Sequence, residues 1–254
     1  SGAMSFQYAP EWLAEPGSRA ISLSLPLQHG RIRGAQVFNF FSNLLPDSEA
    51  IIARMQARFQ VETAHPFDLL ASVGRDCVGA IQLYPPGQEI PPVTDIVAEP
   101  LDDDQIAALL DGYQMAPLGM TEEDADFRIS LAGAQEKTAL LWYQARWQRP
   151  QGSTPTSHIF KLPIGRIEQN NIDLSESCEN EWLCLRIAKA FGFPVAQAEM
   201  ATFGRKKVLI IERFDRRWSS SGWLMRLRQE DFCQALGVSP AVKYESHGGP
   251  GIAV

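Results

Sequence analysis

The sequence predicts an α+β chain built in two parts. Three observations carry this. Residues 5–100 hold short helical patterns broken by Pro46 and by glycine-bearing turns. Residues 127–217 switch to apolar runs of strand length around one helical pattern. An acidic stretch, 101–126, lies between them, and residues 218–254 follow with no closing element.

Composition narrows the function. The 254 residues are 45% hydrophobic and 21% charged, with a net charge of −7. That is a globular composition with enough chain to bury a core. The negative balance argues against general affinity for nucleic acid or an anionic membrane. No apolar run is long enough to span a bilayer, and no secretory pattern opens the chain, so a cytoplasmic protein with no membrane partner is expected. Ser1–Met4, SGAM, reads as an expression scar. The four cysteines, Cys77, Cys178, Cys184 and Cys233, include no CxxC pair. Reduced thiols are expected, and a metal site is not.

The elements follow in order. AISLSLP alternates apolar and small polar side chains, as a half-buried strand does. In AQVFNFFSNLLPDSEAIIARMQARF, Pro46 divides two helices, with Asp47 or Ser48 placed to cap the second. HPFDLLASVGRDCVGAIQLYPPG reads as a helix, a turn and a strand over 77–84, stopped by Pro85, Pro86 and Gly87. LDDDQIAALLDGY predicts a helix whose first-turn aspartates favour the positive dipole end, within an otherwise solvated connector. FRISL and EKTALLWY predict a hairpin around Ala132–Gln135, and SHIFKLP a third strand ended by Pro163. SESCENEWLCLRIAKAFGF predicts a helix stopped near Gly192; AEMATF and KVLIIERFD predict a second hairpin through GRK.

The chemistry concentrates at FRISLAGAQEKTALL. Lys137 and Thr138 fit the end of a Walker loop, but Leu131 and Glu136 stand where its glycines belong. Of a kinase glycine-rich loop only Gly133 is present. Ala132, Gly133 and Ala134 still allow N–H groups to approach an anion closely, and Lys137 adds positive charge. Alone, this is a plain hairpin turn. Its surroundings change the reading. Lys161 lies in an apolar strand, where a lysine needs a partner or an anion. Cys178, Glu181, Trp182, Leu185 and Ala188 share one helical face, of which Glu181 is the charged member. A strand lysine facing a helix glutamate is how protein kinases orient ATP phosphates. Glu212, Arg213 and Phe214 then follow the apolar run Val208–Ile211 where a kinase hinge would hold adenine, with Asp215 expected near a ribose hydroxyl. Arg205, Lys206, Lys207, Arg213, Arg216 and Arg217 read as a solvated turn and strand end.

The chain resembles the HipA toxin kinases of bacterial toxin–antitoxin modules. The strings FNFFSNLLPDS, PFDLLASVGRDCVGAIQL, FRISLAGAQEKTALL, SHIFKLPIG, CENEWLCLRIAKAFG, ERFDRRW and RLRQEDFCQALGVSPAVKYESHGGPGIA carry the likeness. It implies a HipA N-terminal α/β subdomain over 5–100, an acidic connector over 101–126 and a protein-kinase-like N-lobe over 127–217. Residues 218–254 would begin a helical C-lobe, most of which is absent. It implies a serine/threonine kinase using ATP and Mg2+, phosphorylating glutamyl-tRNA synthetase to halt translation and promote persistence. A HipB-like antitoxin, and operator DNA reached mainly through it, are the implied partners. Ala132, Gly133, Ala134, Gln135, Glu136 and Lys137 would form the phosphate loop, Lys161 would touch ATP phosphates with Glu181 as its partner, and Glu212–Phe214 would form the hinge. Ser130 matches the family's autophosphorylated serine. Two departures follow: about one strand is expected to be missing at the start, and no D-x-H-x-x-N catalytic loop occurs. No catalytic or metal-binding residue is therefore expected in this chain, which reads as a catalytically incomplete ATP-binding fragment. The other reading is a non-catalytic module that binds the antitoxin–operator complex.

Overall fold

A computed structural model describes residues 4–112, 118, 120, 129–133, 135–167 and 171–251. The N-terminal part begins with a two-stranded ribbon, β1 (Ser5–Gln7), then the short helix α1 (Pro10–Ala14), then β2 (Arg31–Arg33), which pairs antiparallel with β1. Helix α2 (Ala35–Ser42) buries Val37, Phe40 and Phe41, the 3–4 spacing of one helical face. Pro46 separates it from α3 (Glu49–Arg58), where Ser48 is the N-cap and accepts from the Ile51 N–H at 3.4 Å. Helix α4 (Pro66–Val73) starts with proline at its first position and buries Leu69, Leu70 and Val73. These faces meet in one core with Leu25, Met55 and Cys77, all fully buried. Each large side chain sequestered there contributes about 1.5–3 kcal/mol.

Two strands expected in this part are not formed. AISLSLP is a tight turn with one isolated bridge, Ser22 to Leu25. Its small polar side chains bond to a distant segment instead of alternating across a sheet. The Ser24 hydroxyl donates to Gln234 O at 2.6 Å and the Ser22 hydroxyl to Glu230 at 2.6 Å. Residues 77–84 are irregular because their backbone groups are already engaged. Cys77 O accepts from Arg213 and Arg216, each at 3.0 Å, and the Gly79 N–H donates to Asp215 at 2.7 Å.

The second part is a six-stranded antiparallel sheet of order β3-β5-β4-β6-β10-β9. Its strands are β3 (Ala98–Pro100), β4 (Lys137–Tyr143), β5 (Arg146–Pro150), β6 (His158–Lys161), β9 (Ala198–Phe203) and β10 (Lys206–Glu212). A small ribbon, β7 (Gly165–Ile167) with β8 (Ile172–Leu174), precedes helix α6 (Ser177–Ala190). The expected helix of the acidic stretch is α5 (Asp103–Asp111), closed by a capping box between Asp102 and Gln105. It is not part of a solvated connector. Ile106 and Leu110 pack onto Leu140, Phe160, Val208 and Ile210 of the sheet, and β3 adds its edge strand.

The expected hairpin around Ala132–Gln135 also differs. Phe127 and Arg128 lie outside the described residues, and Ile129 makes an isolated bridge to Asp76. The partner of β4 is β5, joined through Gln144 and Ala145, both at positive φ (52° and 58°). No glycine or asparagine marks that turn in the sequence. Beyond β10, β11 (Arg216–Trp218) pairs with β12 (Leu224–Arg226), and α7 (Phe232–Leu236) returns to α2, where Asn39 donates to Gly237 O at 2.7 Å. Gly237 is in the left-handed region at φ +68°, and a Cβ there would lie 3.1 Å from Gln36 Cβ.

Candidate nucleotide-binding face

Side chains alternate across a strand. Phe160 points into the α5 core, so Lys161 points to the other face, which α6 covers. There Lys161 Nζ lies 2.6 Å from Glu181 Oε1. Cys178, one turn earlier on α6, is fully buried and anchors the helix, its thiol donating to Lys161 O at 3.4 Å. The predicted stripe thus faces the sheet, with its charged member on the lysine.

Lys137 is the register partner of Lys161 on the neighbouring strand. Its ammonium folds back into the loop, donating to Gln135 O at 2.5 Å and Gly133 O at 3.2 Å. Burial, reinforced by the adjacent Lys161 charge, pushes its pKa down to about 8. Gly133 sits at φ +104°, where an added Cβ would lie 3.2 Å from this ammonium. Ala132 precedes it half-buried, while Ala134 lies outside the described residues. Gln135 donates to Leu162 O at 2.7 Å, and Glu136 is ion-paired with Arg54 of α3. Ser130 is fully buried, its hydroxyl donating to Leu44 O at 2.6 Å.

At the end of β10 the Glu212 N–H bonds Gln197 O and the Arg213 N–H bonds Ser157 O, both at 2.9 Å. Phe214 is 72% exposed. Asp215 is not near a ribose position. It is buried, accepting from Arg213 at 2.7 Å and from the Gly79 N–H. Arg213 and Arg216 are likewise not solvated. With Arg226 they surround Asp76, at 3.3 Å from Arg213 and 2.9 Å from Arg216 and Arg226. Burial alone would raise the Asp76 carboxyl, but the three guanidiniums hold it well below the usual carboxylate range. The same burial pulls Arg216 down to about 10. Lys206 and Lys207 do sit at the surface, paired with Asp111 and Glu179.

The sequence reading did not find Asp76, Thr156, Arg226 or Arg54. A lone aspartate in GRDC carries no spacing signal, and its partners lie 80 to 150 positions away along the chain. A cleft of about 640 Å³ beside Trp12, Ile81 and Gln229 is lined by none of the lysine-face residues.

Chemically, the lysine face suits a polyanion: two ammonium groups on adjacent strands, one oriented by a carboxylate, beside a loop of small residues. Among the described residues, the two carboxylates beside it, Glu181 and Glu136, are each paired with a cation.

Comparisons with known proteins agree with this architecture. The family model for the HipA N-terminal domain matches residues 1–84, and that for the HipA-like C-terminal domain matches residues 129–253. A Sinorhizobium fredii protein named "Putative kinase Y4mE" is 36% identical over 252 residues, covering 98% of this chain and 58% of that protein. The "Serine/threonine-protein kinase toxin HipA" of Shewanella oneidensis is 29% identical, covering 96% and 52%. A solved complex of Shewanella oneidensis HipA, HipB and operator DNA superposes with a TM-score of 0.73 at 28% identity, covering 99% of this chain and 55% of that one. The chain spans about half the length of the relatives it matches. The two family models, which together match most of the chain, and the superposed neighbour define the class: an α+β protein built from HipA-type domains. Within it, the chain belongs to the HipA family.

Proposed function

We propose that this chain is the ATP-binding portion of a HipA-type serine/threonine protein kinase toxin. The observation that carries the reading is the 2.6 Å pair between Lys161 and Glu181 beside the small-residue loop 132–137. In it, Lys161 holds ATP phosphates, Lys137 shapes the loop through its carbonyl contacts, and Glu212–Phe214 flank adenine. Because the Glu212 and Arg213 N–H groups already bond Gln197 and Ser157, the backbone donor for adenine falls to Phe214. ATP with its magnesium supplies the phosphoryl group, and the residues that activate the acceptor hydroxyl belong to a D-x-H-x-x-N loop that this chain does not contain. On this reading the chain binds nucleotide without transferring phosphate, acts in the cytoplasm, and belongs to an activity aimed at glutamyl-tRNA synthetase. The Shewanella neighbour's complex with HipB and operator DNA supports a HipB-like antitoxin as partner, with operator DNA engaged mainly through it. No described helix is long and apolar enough to cross a membrane.

The test is calorimetric titration of the chain with ATP and magnesium, then incubation with labelled ATP with and without glutamyl-tRNA synthetase. Binding without label transfer is expected. Transfer above a heat-killed control would overturn the inactive-fragment reading. Absence of any ATP binding would favour the second reading, a non-catalytic module for the antitoxin–operator complex.

A further inference from the structure

The loop before β4 is held by one corner of the N-terminal part. Ser130 bonds Leu44 O at 2.6 Å, and the Asp47 N–H donates to Gly133 O at 3.3 Å. Arg54, one and a half turns into α3, pairs with Glu136. The corner is itself fixed: Ser48 caps α3, and the Asp47 carboxylate is paired with Lys243. Arg54 therefore reaches the loop from a rigid base.

Glu136 is the residue that needs explaining. It places a carboxylate immediately before Lys137, on a face whose proposed ligand is an anion. Its field reaches Lys137, whose ammonium it favours in the charged form. Unrestrained, a glutamate at this position is an internal competitor for both lysines and a source of repulsion for phosphate. Arg54 occupies one oxygen of that carboxylate, and the other is buried without a partner.

We propose that Arg54 is a positioning residue that holds the Glu136 carboxylate away from Lys137 and Lys161, keeping the Lys161 ammonium available to a nucleoside triphosphate and the Lys137 ammonium on its loop carbonyls. The proposal rests on the nucleotide reading above and extends it to a residue of the N-terminal part. It gives that part a direct influence on nucleotide affinity.

The experiment is titration of the chain with ATP and magnesium, comparing wild type, Arg54→Gln, Glu136→Gln and the double variant. Lys161→Ala serves as the control for the site itself. Thermal melting verifies folding in each case. Arg54→Gln keeps the first part of the aliphatic stem and removes the guanidinium with its charge. It should weaken ATP roughly five- to tenfold, the size of one lost charge compensation. The double variant should return to within about twofold of wild type, since the competing carboxylate is gone. Arg54→Lys, which keeps the charge, should bind as wild type does. A merely structural role for Arg54 would leave the double variant as weak as the single one, and that result overturns the proposal. So does unchanged affinity in Arg54→Gln. If wild type fails to bind ATP, or Lys161→Ala binds equally well, the nucleotide reading itself has failed and this proposal falls with it. If Arg54→Gln does not fold, Arg54→Lys and Glu136→Gln decide the matter: affinity below wild type in both is the contrary result.

Discussion

Lys161 and Glu181 come from different elements, 20 residues apart, and meet at 2.6 Å on the face of the sheet opposite α5. Neither residue is fully buried, with side chains 21% and 33% exposed. An ion pair so placed contributes little to stability. Its value lies in where it holds the ammonium. Lys161→Ala is expected to weaken ATP by roughly 1.5–3 kcal/mol, the range for a hydrogen bond to a charged group, while leaving the melting temperature nearly unchanged. Glu181→Gln should give a smaller loss, because the lysine remains but is no longer oriented. Titration calorimetry on both variants tests this; equal affinity in Lys161→Ala would remove it from the site.

Asp76 carries the opposite kind of pair. It is 3% exposed and faces three arginines, so removing its charge strands buried guanidiniums. Asp76→Asn is expected to cost about 3–5 kcal/mol, read as a lower urea midpoint. The folded pKa lies below the unfolded one. The stabilisation is therefore fully present above about pH 4 and is lost as pH falls further, through the folded value. A midpoint unchanged at neutral pH would refute the role assigned to this cluster.

His158 titrates differently. Burial against Trp147 brings its pKa down to about 4 from the usual 6.5. Between those values the unfolded chain binds a proton that the folded chain does not. Stability should therefore rise as pH goes from 4 to 6.5, by on the order of 1–3 kcal/mol. His158→Gln, which keeps a partner for Ser157 at 2.8 Å in the parent, should flatten that part of the curve. An identical pH profile in the variant would assign the acid sensitivity elsewhere.

Ser130 is buried with its hydroxyl on Leu44 O, so no kinase can reach it while the loop is seated. A phosphate there adds about −1.5 to −2 charges that the seat cannot hold. Phosphorylation at Ser130 is expected to unseat residues 130–137, raise protease sensitivity there and weaken ATP binding. Equal protection and equal ATP affinity in the phosphorylated and unphosphorylated full-length protein would rule this out.

What the sequence determined by itself was local. The helices α2 to α6 were legible because apolar spacing, Pro46, the Ser48 cap and Gly192 act within a few residues. The strands β4, β6, β9 and β10 were legible as apolar runs with clear stops. Lys161 and Glu181 could be matched because one interrupts an apolar strand and the other an apolar stripe. Tertiary structure decided the rest. AISLSLP and residues 77–84 have strand-like patterns, but their polar groups find partners near Gln234 and Arg213, which no local pattern reveals. The same holds for Asp215, Arg213 and Arg216. The two arginines at that strand end look solvated until Asp76, 137 residues from Arg213, pairs with them, and Asp215 is fixed by Arg213 and the distant Gly79 N–H. A charge is cheap to read on a surface and costly to bury, so only the folded chain shows which charges were buried and what compensates them.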